Sequence, residues 1–213
     1  MKKTKKNIGA VIVIGAGGLG RVVLSTLQEA GFEVKCVLDD ARSLWGQSLL
    51  GVPISGPISD LRDGSKINAV AAIGDNMTRQ AIVRQYPKVH WQTVIHPVAY
   101  VHPSVVLGAG TMVCAGAIIQ PEAQVGDHVI INTGATVDHN CQLENYVQLS
   151  PGIHLAGNVN VGEGAFLGTG AVVIPGITIG AWSCIGAGAA VVRDIPAHIT
   201  AVGVPARPLK RKR

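Results

Sequence analysis

The sequence predicts a chain in two parts: an α/β unit over residues 1–94, then a parallel β-solenoid over residues 95–213 that closes in a short tail. Three observations carry this. An aliphatic residue recurs at every sixth position from Ile95 to Val191 without an insertion. In residues 8–40 a strand-type run, a glycine-rich turn, a helical stretch and a second strand ending in acids follow one another. Aromatic residues make up only 4% of the chain while glycine numbers 27, which suits a core too narrow for large rings.

The first strand is the continuous apolar run from Ile8 to Ile14. Gly15-Ala16-Gly17-Gly18-Leu19-Gly20 follows it. Residues 19–30 alternate apolar and polar at helical spacing, with Gly31 as the stop. Phe32 to Leu38 reads as a second strand that ends in Asp39-Asp40. A Gly-x-Gly-x-x-Gly pattern thus sits between a strand and a helix, with Asp39 nineteen residues after Gly20. Glycines there let the backbone approach a pyrophosphate, and the helix start offers unpaired N–H groups and a positive dipole end. The Asp39 and Asp40 carboxylates can accept hydrogen bonds from a ribose or a base. The competing reading is a tight turn without a ligand. Residues 41–68, rich in Gly and Pro, predict loops. Ala69 to Ile73 predicts a third strand that runs into Gly74-Asp75-Asn76, residues 76–86 a helix, and residues 88–94 a short strand or connector. A full dinucleotide (Rossmann) fold has two βαβαβ halves. There is room here for one, which favours a mononucleotide-sized ligand such as a nucleotide-sugar over NAD.

The repeat carries its aliphatic residue at position one. Position two is often glycine, as at Gly108, Gly126, Gly162, Gly168, Gly180 and Gly186, and position five is small or apolar, as at Ala117, Ala135, Cys141 and Ala165. Position five and the next position one lie two apart, so both face the same side of a strand. Three repeats make a triangular coil of eighteen residues. The seventeen repeats from Ile95 onward give between five and six coils, stacked at roughly 4.8 Å. A helix would need a period near 3.6.

Composition narrows the function classes. The net charge is +5, but Lys2, Lys3, Lys5, Lys6, Lys210, Arg211, Lys212 and Arg213 sit in the tails, leaving ten basic against 13 acidic residues elsewhere. A nucleic-acid groove needs basic residues on the folded body, so no nucleic-acid partner is expected. The tails read as solvated ends, with a weak membrane-surface role as the alternative. No apolar run reaches the length of a membrane span. The basic start leads into a strand and turn rather than a signal peptide, which predicts a cytoplasmic protein. Cys36, Cys114, Cys141 and Cys184 show no paired spacing and read as reduced, mostly buried thiols.

Among the seven histidines, His139 stands at a third position, where a side chain projects out of the coil. Gly157 lies eighteen residues on and should stack over it, about one strand spacing away. A general base beside a backbone N–H donor is what acyl transfer to an amine needs. Against this stands the reading of His139 as one surface histidine among seven. Three histidines could instead hold zinc, as in solenoid carbonic anhydrases, but their spacing matches no clear ligand set, and no metal is expected.

Joined together, the two halves resemble the bacterial NeuD-type hexapeptide-repeat sugar acetyltransferases. The likeness is strongest to N-acetyltransferases that act on nucleotide-linked 4-amino sugars in bacillosamine and perosamine synthesis. It is carried by residues 13–20, Leu38-Asp39-Asp40, residues 72–76, residues 131–141, Leu155-Ala156-Gly157 and Gly203-Val204-Pro205-Ala206. The resemblance implies a left-handed parallel β-helix and a homotrimer with active sites between subunits. It implies acetyl-CoA as co-substrate and a role in O-antigen or polysaccharide synthesis. By the same resemblance His139 is the catalytic base, assisted by Asn140, and Gly157 meets the acetyl carbonyl. Gly17, Gly18 and Leu19 hold the phosphates, Asp39 and Asp40 the nucleoside, and Gly74 and Met77 further parts of the substrate. Gln148 and Thr169 contact acetyl-CoA, and Arg207 or Lys210 lies where a CoA phosphate could be reached, although solvated charge is the simpler account.

Two positions depart from the family pattern. Relatives carry an acid after the catalytic histidine, where this chain has Asn140; an amide orients the ring but does not stabilise imidazolium by charge, unless Asp138 or another carboxylate substitutes. Relatives often carry a histidine where this chain has Gln148, which still donates a hydrogen bond. The leading expectation is therefore an acetyl-CoA-dependent N-acetyltransferase of a nucleotide-activated 4-amino sugar. The alternatives are O-acetylation of a sugar hydroxyl, as with sialic acid, and a non-catalytic solenoid scaffold.

Overall fold

A computed structural model describes residues 9–62, 64 and 66–209. The chain divides into two compact units between Pro97 and Val98. The basic residues of both tails lie outside the described residues.

The first unit is an α/β arrangement built on β1 (Val11–Ile14), α1 (Gly18–Glu29), β2 (Val34–Leu38), β3 (Ser48–Leu49), β4 (Val52–Gly56), β5 (Asn68–Ala71), α2 (Asn76–Gln85) and β6 (His90–Trp91). The sheet order is β3-β4-β2-β1-β5-β6, parallel except for the β3–β4 hairpin. Strand β1 is apolar along its length because it is central: Val11, Val13 and Ile14 are fully buried. The connection from β1 to β2 runs to one side of β1 and the one from β4 to β5 to the other. The strand order therefore reverses at β1, where open α/β sheets form their ligand crevice. The segment read as loops holds β3 and β4. Their two-residue turn, Leu50-Gly51, has φ of 46° and 82°, the type I′ geometry that Asn-Gly usually announces. Leucine in the first place hides that signal.

The second unit is the solenoid. Every described pairing in its regular part joins residues eighteen apart, such as Val113↔Ile131, Val137↔Leu155 and Leu143↔Val161. Three parallel stacks result, running through Val101, Ile119, Val137, Leu155, Val173 and Val191; Leu107, Val125, Leu143, Val161 and Ile179; and Val113, Ile131, Leu149, Leu167 and Ile185. Positions one and five fill the centre, from Val113 and Ala117 to Ala189 and Val191, almost all without solvent contact. The coil does not stop at Val191. Ile195 pairs with Ile179 and Ala201 with Ile185, each sixteen residues on instead of eighteen. A repeat shortened by two residues continues the stack, and Arg207–Pro208 caps it as an antiparallel strand against Thr200–Val202.

Glycine serves two purposes in the repeat. At position two there is no room between coils: a Cβ on Gly126 would stand 2.8 Å from the backbone N of Asn145. At position four the backbone is left-handed. One corner answers this with glycine throughout, at Gly116, Gly134, Gly152, Gly170 and Gly188. The corner that bears His139 does so with Glu122, Asn140, Asn158 and Gly176, with φ of 63°, 58°, 60° and 75°. Asn accepts this conformation because its short amide bonds locally.

Candidate active site

In the first unit, three loops leave the carboxyl ends of β1, β2 and β5, which lie side by side. Gly15, at φ 102°, is forced by neighbours: a Cβ would stand 2.8 Å from the Ala72 carbonyl oxygen. Gly20 abuts the carbonyl of Gly15. Gly17 and Gly18, by contrast, face open space at the start of α1, where a Cβ would meet nothing within 4 Å. The outer glycines thus shape the turn, and the inner pair bares backbone N–H groups. Leu19 is half-buried in the first turn.

Asp39 is tied inward. Its carboxylate accepts from the Ala16 N–H at 2.7 Å and the Ala41 N–H at 2.8 Å, and its carbonyl accepts from the Trp45 indole at 2.7 Å. It therefore welds the second-strand end to the glycine turn. Asp40 accepts from the Ile58 N–H at 2.8 Å and is exposed. On the third loop Gly74 is open and Met77 is 69% exposed. Asp75 caps α2 by accepting from the Thr78 N–H and hydroxyl at 2.8 and 2.6 Å. Those bonds, aided by the Arg79 charge, hold its carboxyl below the usual range despite desolvation. Fully buried Arg79 fixes the same loop, donating at 2.8 Å to both the Ile73 carbonyl and the Asn76 side-chain oxygen.

In the solenoid, the expected stacking of Gly157 over His139 is found. A Cβ at Gly157 would stand 2.5 Å from both Cε1 and Nε2 of the imidazole. The Asn158 N–H donates to the His139 carbonyl at 2.9 Å, and the His139 N–H donates to Asp138 Oδ1 at 2.7 Å. The ring's Nδ1 lies 2.9 Å from Asn140 Oδ1, and Asn140 Nδ2 donates to Glu122 Oε2 at 2.6 Å. Asp138 thus binds backbone, and the carboxylate in line with the ring is Glu122, one coil below. Sequence reading passed over Glu122, although it lies eighteen residues before Asn140 on the same corner. Beside this chain of bonds runs an open groove of about 510 Å³, lined by Ser104, Val106, Glu122, Gln124, Asn140, Gln142 and Asn158.

The remaining residues lie elsewhere on the coil. Gln148 is in the third stack, half a coil from His139; its Oε1 is buried without a hydrogen-bond partner. Thr169 sits on the all-glycine corner beside Gly170, exposed. Thus one chain joins His139, Asn140 and Gly157 but not Gln148 or Thr169. Arg207 is exposed, with Nη1 donating to the Ala206 carbonyl at 2.9 Å; Lys210 lies outside the described residues. No group of three or more His, Cys, Asp or Glu suited to a metal ion occurs among the described residues.

Comparison with known proteins bears on this geometry. Residues 10–86 match the family model described as the PglD N-terminal domain. PerB from Caulobacter crescentus, solved in complex with CoA and GDP-perosamine, is 44% identical with a TM-score of 0.88, over 95% of this chain and 98% of that one. The chain belongs to the left-handed β-helix sugar N-acetyltransferase family. A second member, the acetyltransferase domain of PglB from Neisseria gonorrhoeae in complex with acetyl coenzyme A, is 38% identical with a TM-score of 0.88, over 94% of this chain and all of that one. An uncharacterised protein of Acanthamoeba polyphaga mimivirus is 35% identical over 103 residues, 48% of this chain; that match spans about a fifth (21%) of the viral protein's length. The handedness implied by the resemblance is therefore that of the family, and the family fold is an acyltransferase fold.

Proposed function

We propose that the chain transfers acetyl from acetyl-CoA to the 4-amino group of a nucleotide-activated amino-deoxy sugar, with His139 as general base. The observation that carries this is the placement of the exposed His139 imidazole over Gly157, where a Cβ would stand 2.5 Å from Nε2. The neutral amine attacks the thioester carbonyl; a C–N bond forms as its proton passes to Nε2. The Gly157 N–H donates to the carbonyl oxygen as charge develops there. The C–S bond then breaks, and the imidazolium returns its proton to the departing thiolate, so CoA leaves as the thiol. Gly17, Gly18 and the first turn of α1 receive the diphosphate, Asp40 the nucleoside, and Gly74 and Met77 the sugar side of the crevice. The complexes of PerB with GDP-perosamine and of PglB with acetyl coenzyme A support this reading by likeness. By the same likeness the reading is of a cytoplasmic enzyme of polysaccharide precursor synthesis.

The periodicity bears on the assembly. Residues thirty apart, such as His139 and Thr169, lie on different corners of the solenoid and more than one eighteen-residue coil apart. A site that uses both draws them from two chains, which supports a homotrimer with active sites between subunits. Exposed Tyr100, Ile118 and Val172 on the face leading to the His139 corner give such a contact its apolar area.

The test is a thiol-release assay with acetyl-CoA against UDP-, GDP- and dTDP-linked 4-amino sugars, run beside His139→Ala. Turnover with one nucleotide, and loss of at least about a hundredfold in the variant, is expected. Turnover on a sugar hydroxyl such as that of sialic acid alone would replace amine by alcohol as acceptor. An unchanged His139→Ala protein would leave a scaffold.

A further inference from the structure

The residue that follows the histidine is an amide, and that amide is itself bound to a carboxylate. Glu122 Oε2 lies 2.6 Å from Asn140 Nδ2, and Asn140 Oδ1 lies 2.9 Å from His139 Nδ1. The two contacts are coupled. An ionised carboxylate only accepts hydrogen bonds, so the amide must turn its NH₂ toward Glu122. Its oxygen then faces the ring, and an oxygen facing Nδ1 requires Nδ1 to carry the proton. The lone pair is left on Nε2, the nitrogen against Gly157. With an uncharged group at 122 the amide could flip, and the proton would then sit on Nε2 and block the base.

We propose that Glu122, acting through the Asn140 amide, is the positioning residue that holds His139 in its Nδ1–H tautomer and supplies the negative charge that Asn140 lacks. This rests on the reading of His139 as the base. No proton reaches Glu122. When Nε2 takes the amine proton the ring becomes cationic, Nδ1–H still donates to Asn140, and the polarised amide passes the attraction of the carboxylate to the imidazolium. Glu122 is itself anchored: its backbone N–H donates to Ser104 Oγ at 2.9 Å, and that hydroxyl lies 2.9 Å from His102 Nδ1. Asp138, His102 and Glu122 are the titratable side chains bonded along this stretch of the corner. Asp138 binds the backbone N–H of His139 rather than its ring. All of these belong to the solenoid, and Glu122 and Asn140 are exposed, so substitution leaves the core untouched.

The test compares Glu122→Gln, the double variant Glu122→Gln/Asn140→Asp, and His139→Ala, by pH profile of kcat/KM and by ¹⁵N NMR of the His139 ring. Glu122→Gln should lower kcat/KM about tenfold, the difference between a charged and a neutral hydrogen bond. It should also move the acidic limb of the profile to lower pH and mix the two ring tautomers. The double variant places a carboxylate directly on Nδ1 and should recover most of the loss. A Glu122→Gln protein with wild-type limb and tautomer, beside an inactive His139→Ala, overturns the inference and leaves the reading of the base intact. Failure of the double variant to recover activity, with its fold intact, also overturns it. A fully active His139→Ala protein removes the base itself, and this inference with it. Should Glu122→Gln prove unstable, the tautomer in Glu122→Asp decides, with a retained Nδ1–H signal expected and its loss counting against the proposal.

Discussion

The imidazole of His139 fills the space that any side chain at Gly157 would need. Its Cε1 and Nε2 both lie 2.5 Å from where a Cβ would stand. Glycine at 157 is therefore a requirement of the histidine, and not of the local backbone, which has no left-handed φ there. Gly157→Ala should push the ring outward without disturbing the coil, since the displaced group is exposed. A misplacement of about 1 Å costs on the order of a hundredfold in rate, so kcat should fall by about that much. The melting temperature and the affinity for acetyl-CoA should stay near wild type. Steady-state kinetics and a thermal scan check this, and a variant of unchanged kcat would free the histidine from its assigned place.

Asp39 carries a structural duty that its position at the end of β2 does not announce. Both carboxylate oxygens accept backbone N–H groups, one of them from inside the glycine turn. Asp39→Ala strands these donors, at a cost of about 1–3 kcal/mol, and loosens the turn that presents Gly17 and Gly18. We expect a lower melting temperature together with a raised KM for the nucleotide sugar and a smaller change in kcat. Asp40→Ala removes one bond to the Ile58 N–H and should raise the same KM with less loss of stability. Equal melting temperatures for the two variants would speak against the division of roles.

The solenoid was legible because its signal is arithmetic. A six-residue period fixes the core, the eighteen-residue coil and the meeting of His139 with Gly157 before any coordinate is known. Its end was less legible, because the shortened repeat that places Ile195 and Ala201 breaks the period by two residues. Glu122 was within reach of the same arithmetic, but it stands eighteen residues from Asn140 in the sequence, whereas Asp138 adjoins the histidine and binds only its backbone. In the first unit the glycine pattern located the crevice, while Leu50-Gly51 concealed a hairpin behind a residue that seldom adopts positive φ. Asp39 looked like a ligand contact because hydrogen bonds to backbone N–H groups leave no mark in a sequence.

The four cysteines should differ in reactivity. Burial pushes the Cys114 thiol up to about 11, so at pH 8 only roughly one molecule in a thousand carries the thiolate that reacts. Burial also raises Cys141, whose Sγ points at the Ala156 carbonyl, and Cys184, the one cysteine with partial exposure. A disulfide reagent such as DTNB should label native protein slowly at Cys184 and reach Cys114 and Cys141 only on unfolding. Cys184→Ser should abolish the native phase. Rapid labelling of Cys114 in the folded state would contradict its burial. The same measurement sets the background of any thiol-release assay.

Asp75 links the third crevice loop, the one after β5, to pH. Its carboxyl is held below the ordinary value of 3.8, first by the Thr78 hydroxyl, then by the Thr78 N–H. A depressed folded value means that the ionised form is favoured by folding. The stabilisation is thus fully present above the unfolded value, and it is lost as pH falls through the lower folded one. Asp75→Ala should cost about 1 kcal/mol at neutral pH, the usual worth of a helix N-cap, and less as the medium is acidified below about pH 4. Asp75→Asn keeps an acceptor for the cap but not the charge, so its deficit should be smaller and should fade over the same acidic range. Denaturant titrations at pH 7 and pH 3 measure both. Because Asp75 lies between Gly74 and Met77, the Ala variant should also raise KM for the nucleotide sugar at neutral pH. A cap lost without any change in KM would detach this loop from substrate binding.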